Sequence, residues 1–213
     1  MNAVIWTFER DQEGPAYVAG LDAAGRAVLL DVVDDVLRLL DGDGARTGQG
    51  PDHPLDRVRL NAPPVEPPVD PALRRLLPDA SRDEALAAEL RRLTEPDVRD
   101  AKVGNLARLR AAVQDARPNV VVLPSEAAQV AAALTDLRLV VSERLGVRTD
   151  ADAEAVYRLA AEDLVDEDDA PAADRRFLAA VYAVLTLMQE SLVGLLLEEL
   201  PEAEGEGRTT GTL

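Results

Sequence analysis

Apolar residues recur every three or four positions through most of the chain, which is the spacing of one face of an α-helix. The pattern predicts helices over 22–41, 70–77, 81–93, 94–116, 125–145, 150–164 and 174–200. It is strongest in the last of these, whose apolar positions are Leu178, Val181, Leu185, Met188, Leu192 and Leu195. The sequence therefore predicts a protein dominated by helices.

Residues that typically cap helices mark several of the predicted ends. The candidate N-cap residues are Asp22, Asp70, Ser81 and Ser125. Ser81 is followed by Glu84, which is a capping-box pattern. Thr94-Glu95-Pro96-Asp97 predicts the start of a separate helix, because proline favours the first turn. Gly146 is a candidate C-cap residue.

Short runs rich in β-forming residues predict a small sheet. Residues 4–8 and 16–21 flank a turn-forming segment and predict a hairpin, and 120–123 is consistent with one buried strand. The predicted fold class is therefore α+β, mainly α: a helical domain with a small sheet from the N-terminal hairpin and, if 120–123 joins it, one further strand. We expect one domain over 1–200 with a Pro/Gly-rich loop at 42–70, followed by a disordered tail at 201–213.

The chain is strongly acidic, and the acid is unevenly placed. It has 40 acidic and 23 basic residues, a net charge of −17. Residues 150–175 hold ten acidic and two basic residues, whereas 71–117 hold ten basic and eight acidic residues. Nucleic-acid affinity comes from Lys and Arg that release counterions. The net charge therefore counts against a free-standing DNA or RNA binder, although it does not exclude a local basic face.

The sequence offers no recognisable catalytic or metal-binding constellation. It contains no cysteine, which excludes disulfides, thiolate metal sites and cysteine nucleophiles. The single histidine, His53, lies in a Pro-rich segment without ligand spacing, and 166–169 lacks the spacing of a calcium loop. We expect no enzyme activity, no cofactor and no metal.

The chain ends and the most apolar segment indicate the compartment. The N-terminus has no basic segment followed by an apolar run, so we expect no signal peptide. The most apolar stretch, 177–197, is interrupted by Gln189 and Glu190, which favours a buried helix over a membrane span. We therefore expect a cytoplasmic protein without a membrane partner.

Polar residues beside the apolar stripes form the candidate site. They are Lys102, Asn105, Asp136, Arg138, Arg144, Gln189 and Glu190. Polar groups near a core must find partners, so these residues form either a network between helices or a binding site for a protein or small molecule. A second candidate is an acidic surface for a basic partner, made of Asp163, Asp166, Glu167, Asp168 and Asp169. An enzyme would instead need a pocket around Asp136, Arg138 and Glu190.

Several segments together resemble the actinobacterial family DUF2017. They are 75–80, 91–95, 134–139, 144–147 and 187–192, of which Leu-Thr-Asp-Leu-Arg-Leu at 134–139 and Met-Gln-Glu-Ser-Leu at 188–192 are the most specific. The likeness runs from the hairpin to about residue 200. The resemblance implies a cytoplasmic regulatory protein and no catalytic residues.

The resemblance also implies candidate partners. Some mycobacterial members are oxidative-stress transcription regulators that act with an extracytoplasmic-function sigma factor, and family genes lie near that of the Clp protease adaptor. The redox role of those members relies on an N-terminal cysteine pair. This chain has no cysteine, so it cannot use a thiol switch.

Our leading hypothesis is a non-enzymatic regulatory protein that binds another protein, such as a sigma factor or another transcription component. The alternatives are direct DNA binding through the Arg-rich middle (74–117), partnership with the Clp adaptor system, and an enzyme with an unrecognised pocket. The sequence leaves a homo-oligomer open.

Overall fold

The computed structural model describes residues 6–44, 65–116, 119–162 and 170–199. Within these ranges the elements are β1 (Glu9–Arg10), β2 (Tyr17–Gly20), α1 (Ala23–Gly44), α2 (Pro71–Leu76), α3 (Glu84–Gln114), β3 (Asn119–Val122), α4 (Pro124–Leu145), α5 (Asp150–Ala161) and α6 (Ala170–Glu198). The predicted mainly helical α+β class is confirmed. The predicted tail and most of the 42–70 loop lie outside the described residues, and the single domain stays a prediction.

The three strands form one antiparallel sheet in the order β1-β2-β3. Tyr17 lies opposite Val122 and Ala19 opposite Val120, and these four side chains are buried. Because strand residues alternate between faces, Val18 and Val121 lie together on the outer face. The predicted hairpin and further strand are thus confirmed. The first strand, however, is the two-residue β1 and not the predicted segment 4–8. Residues 4–5 of that segment lie outside the described residues.

Helix α4 is the centre of the helical layer and packs against α6, α3 and α2. Its predicted apolar stripe is buried: Val130, Leu134, Leu137 and Val141. The predicted stripe of α6 is buried from Val181 to Leu192, while Leu178 and Leu195 pack at its margins. Because only 3% of the residues are aromatic, the core is built from small and aliphatic side chains, which let the helices pack closely.

The prediction of two helices over 81–93 and 94–116 is wrong, because α3 is one continuous helix with Pro96 inside it. Proline removes one helical hydrogen bond, but Pro96 lies on the exposed face. Contacts of Glu95 on the inner side of the helix compensate for the lost hydrogen bond. Its carboxylate lies 2.7 Å from Arg99 and 3.9 Å from Arg91. These contacts one turn apart hold the helix together across the proline.

Three of the predicted caps are confirmed. Asp22 accepts a hydrogen bond from the Gly25 amide at 2.7 Å, and Asp70 accepts from the amides of Ala72 and Leu73. Gly146 ends α4 in the left-handed region at φ 75°, which glycine adopts without a steric penalty.

Other predicted helix ends are wrong. Asp83, not Ser81, caps α3, and Ser81 instead accepts a hydrogen bond from the Asp83 amide. Ser125 does not cap α4, because Pro124 already occupies the first turn and Leu123 is the N-cap residue. Helix α1 continues past Asp41 to Gly44.

The two C-terminal helices form a pair on one side of α4. Thr149 caps α5 and makes a reciprocal capping box with Asp152. Helix α6 begins at Ala170, four residues earlier than predicted. By length and composition alone α6 could cross a membrane, a test that core helices of soluble proteins also meet. Here its apolar residues pack against the neighbouring helices.

Candidate functional site

Lys102 and Asp136 form an ion pair between α3 and α4. The Lys102 ammonium donates to Asp136 Oδ1 over 2.6 Å, and the Asp136 side chain is 5% exposed. Burial raises the pKa of Asp136, and the Lys102 charge opposes that rise. This pair therefore fixes one helix against another at the edge of the core.

Arg138 and Gln189 connect α4 to α6. Arg138 donates to the Gln189 side-chain oxygen, and Gln189 Nε2 donates to Thr135 Oγ1 over 2.7 Å. The Arg138 guanidinium also lies over the Tyr182 ring, 5.5 Å from its centroid. The chain of contacts ends on Tyr157 of α5, whose ring lies 5.8 Å from that of Tyr182.

Arg144 belongs to a different cluster, at the end of α4. It donates to Asp70 Oδ2 over 2.7 Å and so connects α4 to the cap of α2. Next to it, Glu143 accepts from Arg75 at 2.7 Å and from Arg148 at 2.6 Å. The Arg148 guanidinium, followed by Arg75 and Arg144, lowers the pKa of Glu143. This cluster joins α2, α4 and the turn into α5.

The predicted site residues therefore do not meet in one place. Asp136 contacts Lys102, Arg138 contacts Gln189, and Glu190 is exposed. The half-buried Asn105 has no side-chain hydrogen bond with any described residue. The pocket that an enzyme would need around Asp136, Arg138 and Glu190 is not formed by these side chains.

Sequence reasoning missed a further cluster around Arg91 and Arg99 of α3. Arg91 is buried, donates to the Val65 carbonyl over 2.6 Å and pairs with Asp79. Arg99 donates to the Leu40 carbonyl, which belongs to the last turns of α1. The only sequence signal was the spacing of Arg91, Glu95 and Arg99 by four residues.

A second missed cluster ties the sheet to the end of α6. Arg10 pairs with Glu198 at 3.2 Å and with Glu199 at 2.9 Å. The Phe8 amide donates to Ser191 Oγ over 2.8 Å. Burial, followed by Glu199, raises the pKa of Tyr17. These contacts join segments about 190 positions apart, and a local sequence pattern cannot predict contacts between such distant segments.

Two of the surface cavities formed by the described residues lie beside these helices. One of about 380 Å³ lies between α1, α4 and the start of α6, lined mainly by Val and Leu. The other, of about 190 Å³, lies between α3 and β3. Among the described residues, no group of three or more His, Asp or Glu could hold a metal ion. The predicted acidic surface (Asp163, Asp166, Glu167, Asp168 and Asp169) and His53 lie outside the described residues.

The family model of DUF2017, a domain of unknown function, matches residues 1–196. The chain belongs to this family. It is also similar to proteins named oxidative stress regulator AosR from Mycobacterium bovis and Mycobacterium tuberculosis. These are 29% identical over 157 residues, which is 67% of this chain and 71% of the relatives. No solved structure matches the chain.

The basic residues of this DUF2017 chain are largely committed to internal contacts. In the middle segment, those paired with a carboxylate are Arg75, Arg91, Arg92, Arg99, Lys102, Arg108 and Arg110. Arg74 donates to the Pro68 carbonyl. Phosphate contacts made by these residues would have to displace those partners.

Proposed function

We propose that this DUF2017 protein is a non-enzymatic regulator that acts by binding another protein, with a sigma factor or another transcription component as the partner. The similarity to relatives named as oxidative stress regulators supports a regulatory role. The absence of cysteine means that this chain would regulate without a thiol switch of its own.

The observation that carries the protein-binding proposal is the acidic outer face of α5. The helix buries Val156 and packs on α6, while Asp150, Glu154 and Glu162 are exposed. The next residues along the chain, 163–169, add five more acidic side chains. Arg158 of the same helix is also exposed, but the acidic residues outnumber it, so the net charge of this surface is negative. Such a charge speeds encounter with an oppositely charged partner and helps to select it. We therefore assign the partner a basic binding surface.

The proposal can be tested by capturing partners on the immobilised protein from an actinobacterial lysate at low and at high salt. The test variant neutralises the acidic run: Asp163, Asp166, Glu167, Asp168 and Asp169 become Asn or Gln. The matched control neutralises five exposed carboxylates elsewhere: Glu9, Glu13, Asp31, Asp41 and Glu66. Mass spectrometry identifies the captured proteins.

We expect a sigma factor or RNA polymerase component to bind the unmodified protein and the control variant at low salt, and to be released at high salt. The test variant should lose that protein. If nothing is enriched at low salt, or if both variants lose the partner equally, the proposal fails. A gel shift with duplex DNA, followed across salt concentrations, separates this function from direct DNA binding.

A further inference from the structure

Strand β3 forms one edge of the sheet, and no described strand pairs with its outer side. Its only strand neighbour among the described residues is β2. Among the described residues, no hydrogen bond joins the outer side of Asn119–Val122 to a residue beyond that pairing. Natural edge strands are usually protected by charged residues or bulges, whereas Asn-Val-Val-Val carries neither. Within the described part of the chain, the strand therefore presents backbone donors and acceptors that are not paired.

A groove runs beside this edge. The cavity of about 190 Å³ is lined by Asn119 and Val121 of β3 and by Glu126 of α4. On its other side lie Arg108, Ala111 and Ala112 of α3 and Asp115, which directly follows that helix. Val18 lies next to Val121 on the outer face but does not line the cavity. The cavity is therefore bounded by β3, α3 and α4, and no residue of β2 lines it.

The walls of the groove combine small apolar side chains with charged ones, of which Arg108 is basic and Asp115 and Glu126 are acidic. Ala111 and Ala112 leave space on α3, and Val121 is 50% exposed. Arg108 is neutralised by Glu126 at 2.9 Å. Asp115 lies at the end of the groove, and its carboxylate makes no ion pair or side-chain hydrogen bond with another residue of the described ranges.

We propose that this groove binds an extended segment of the partner protein as a fourth strand, with an apolar side chain against Val121 and a basic side chain beside Asp115. A free strand edge supplies main-chain hydrogen bonds, and a flanking helix supplies side-chain selectivity, which is how strand addition recognises peptides. A basic segment fits both Asp115 and the net charge of −17. The inference rests on the proposed function, because it takes the ligand to be a protein.

A labelled eight-residue peptide of alternating Val and Lys tests the groove directly. Fluorescence anisotropy measures its affinity, and amide hydrogen exchange followed by NMR locates it. We expect binding to slow exchange of amides in Asn119–Val122. The same peptide with Glu for Lys, and one with alternate Val changed to Pro, should bind at least about tenfold more weakly, since each loses one element of recognition.

The protein variants are Asp115→Asn and, as its matched control, Asp100→Asn. Asp100 is exposed on the same helix but does not line the cavity. We expect Asp115→Asn to weaken binding of the Lys peptide about threefold to tenfold, and Asp100→Asn to leave it unchanged. Circular dichroism confirms that both variants fold.

Other results would overturn the inference. One such result is slower amide exchange confined to α5 or α6. Another is equal weakening of Lys-peptide binding by Asp115→Asn and Asp100→Asn. Either result would mean that the peptide responds only to the overall charge of the protein. Concentration-dependent dimerisation with protection of β3 in the absence of peptide would assign the edge to a second copy of the chain. If the captured partner requires the acidic run but ignores Asp115→Asn, the groove inference fails while the proposed function stands.

Discussion

The ammonium of Lys102, the only lysine in the chain, lies 2.6 Å from the nearly buried carboxylate of Asp136. The two residues are 34 positions apart and lie on α3 and α4. Forming such a pair costs desolvation of both groups, so its net stabilisation is small. Removing one partner is different, because it leaves a charge in a site that water reaches poorly.

We predict that Lys102→Met destabilises the protein by about 2–4 kcal/mol, slightly below the range for fully buried pairs because Lys102 is partly exposed. The double variant Lys102→Met, Asp136→Leu should recover much of this loss, since no unpaired charge then remains. Urea unfolding followed by circular dichroism gives both values.

The control for this prediction is Arg38→Met. Arg38 pairs with Asp35 on the surface of α1, and both side chains are largely exposed. Water screens that pair, so its removal should cost less than about 1 kcal/mol. Equal losses for Lys102→Met and Arg38→Met would contradict the importance of burial at Asp136.

The comparison of sequence and structure shows what helical spacing does and does not encode. The spacing identified Asp136 and Arg138 as polar residues beside the buried stripe of α4. It could not identify their partners, because two residues apart on a helix point in different directions and meet different neighbours. Asp136 faces α3, whereas Arg138 faces α6. One predicted site thus became separate helix contacts.

Local rules also failed where tertiary contacts outweigh them. Pro96 and the nearby threonine favour a helix start, but Arg91 and Arg99 are held by carbonyls of other segments, Val65 and Leu40. These contacts hold the part of α3 before Pro96 and the part after it in one continuous helix. They offset the cost of the helical hydrogen bond that the proline removes. Sequence spacing alone contains no information about those distant carbonyls.

A pair of glycine substitutions tests the packing of the N-terminal segment. A Cβ on Gly25 would overlap the ring of Trp6, while a Cβ on Gly104 would meet open space. We predict that Gly25→Ala displaces the indole, the only tryptophan in the chain, and shifts its fluorescence emission to longer wavelength. Gly104→Ala should stabilise α3 by up to about 1 kcal/mol, because alanine has the higher helix propensity. An unchanged emission spectrum in Gly25→Ala would contradict the close contact.

The pH dependence of stability should report on Glu143. Arg148, followed by Arg75 and Arg144, lowers the pKa of this carboxylate in the folded state. Its ionised form therefore stabilises the fold at neutral pH, and that contribution disappears as the pH falls through the lowered pKa. We predict that Glu143→Gln reduces the free energy of unfolding at pH 7 and has a smaller effect in acid. Urea unfolding at several pH values measures the difference between the two proteins, and a difference that grows toward low pH would reverse the expected sign.

The polar residues beside the apolar stripes form either a network between helices or a binding site. Substitutions at the contact between Arg138 and Gln189 distinguish these two interpretations. If the contact is a structural joint of α4 and α6, Gln189→Leu should cost about 1–3 kcal/mol, because Arg138 and Thr135 lose a partner in a half-buried site. The double variant with Arg138→Met should cost less than the sum of the single changes, since the two side chains act together. Unfolding free energies of all four proteins measure this coupling. A partner-binding role predicts the opposite combination, in which Gln189→Leu leaves the unfolding free energy unchanged while capture of the protein partner is lost.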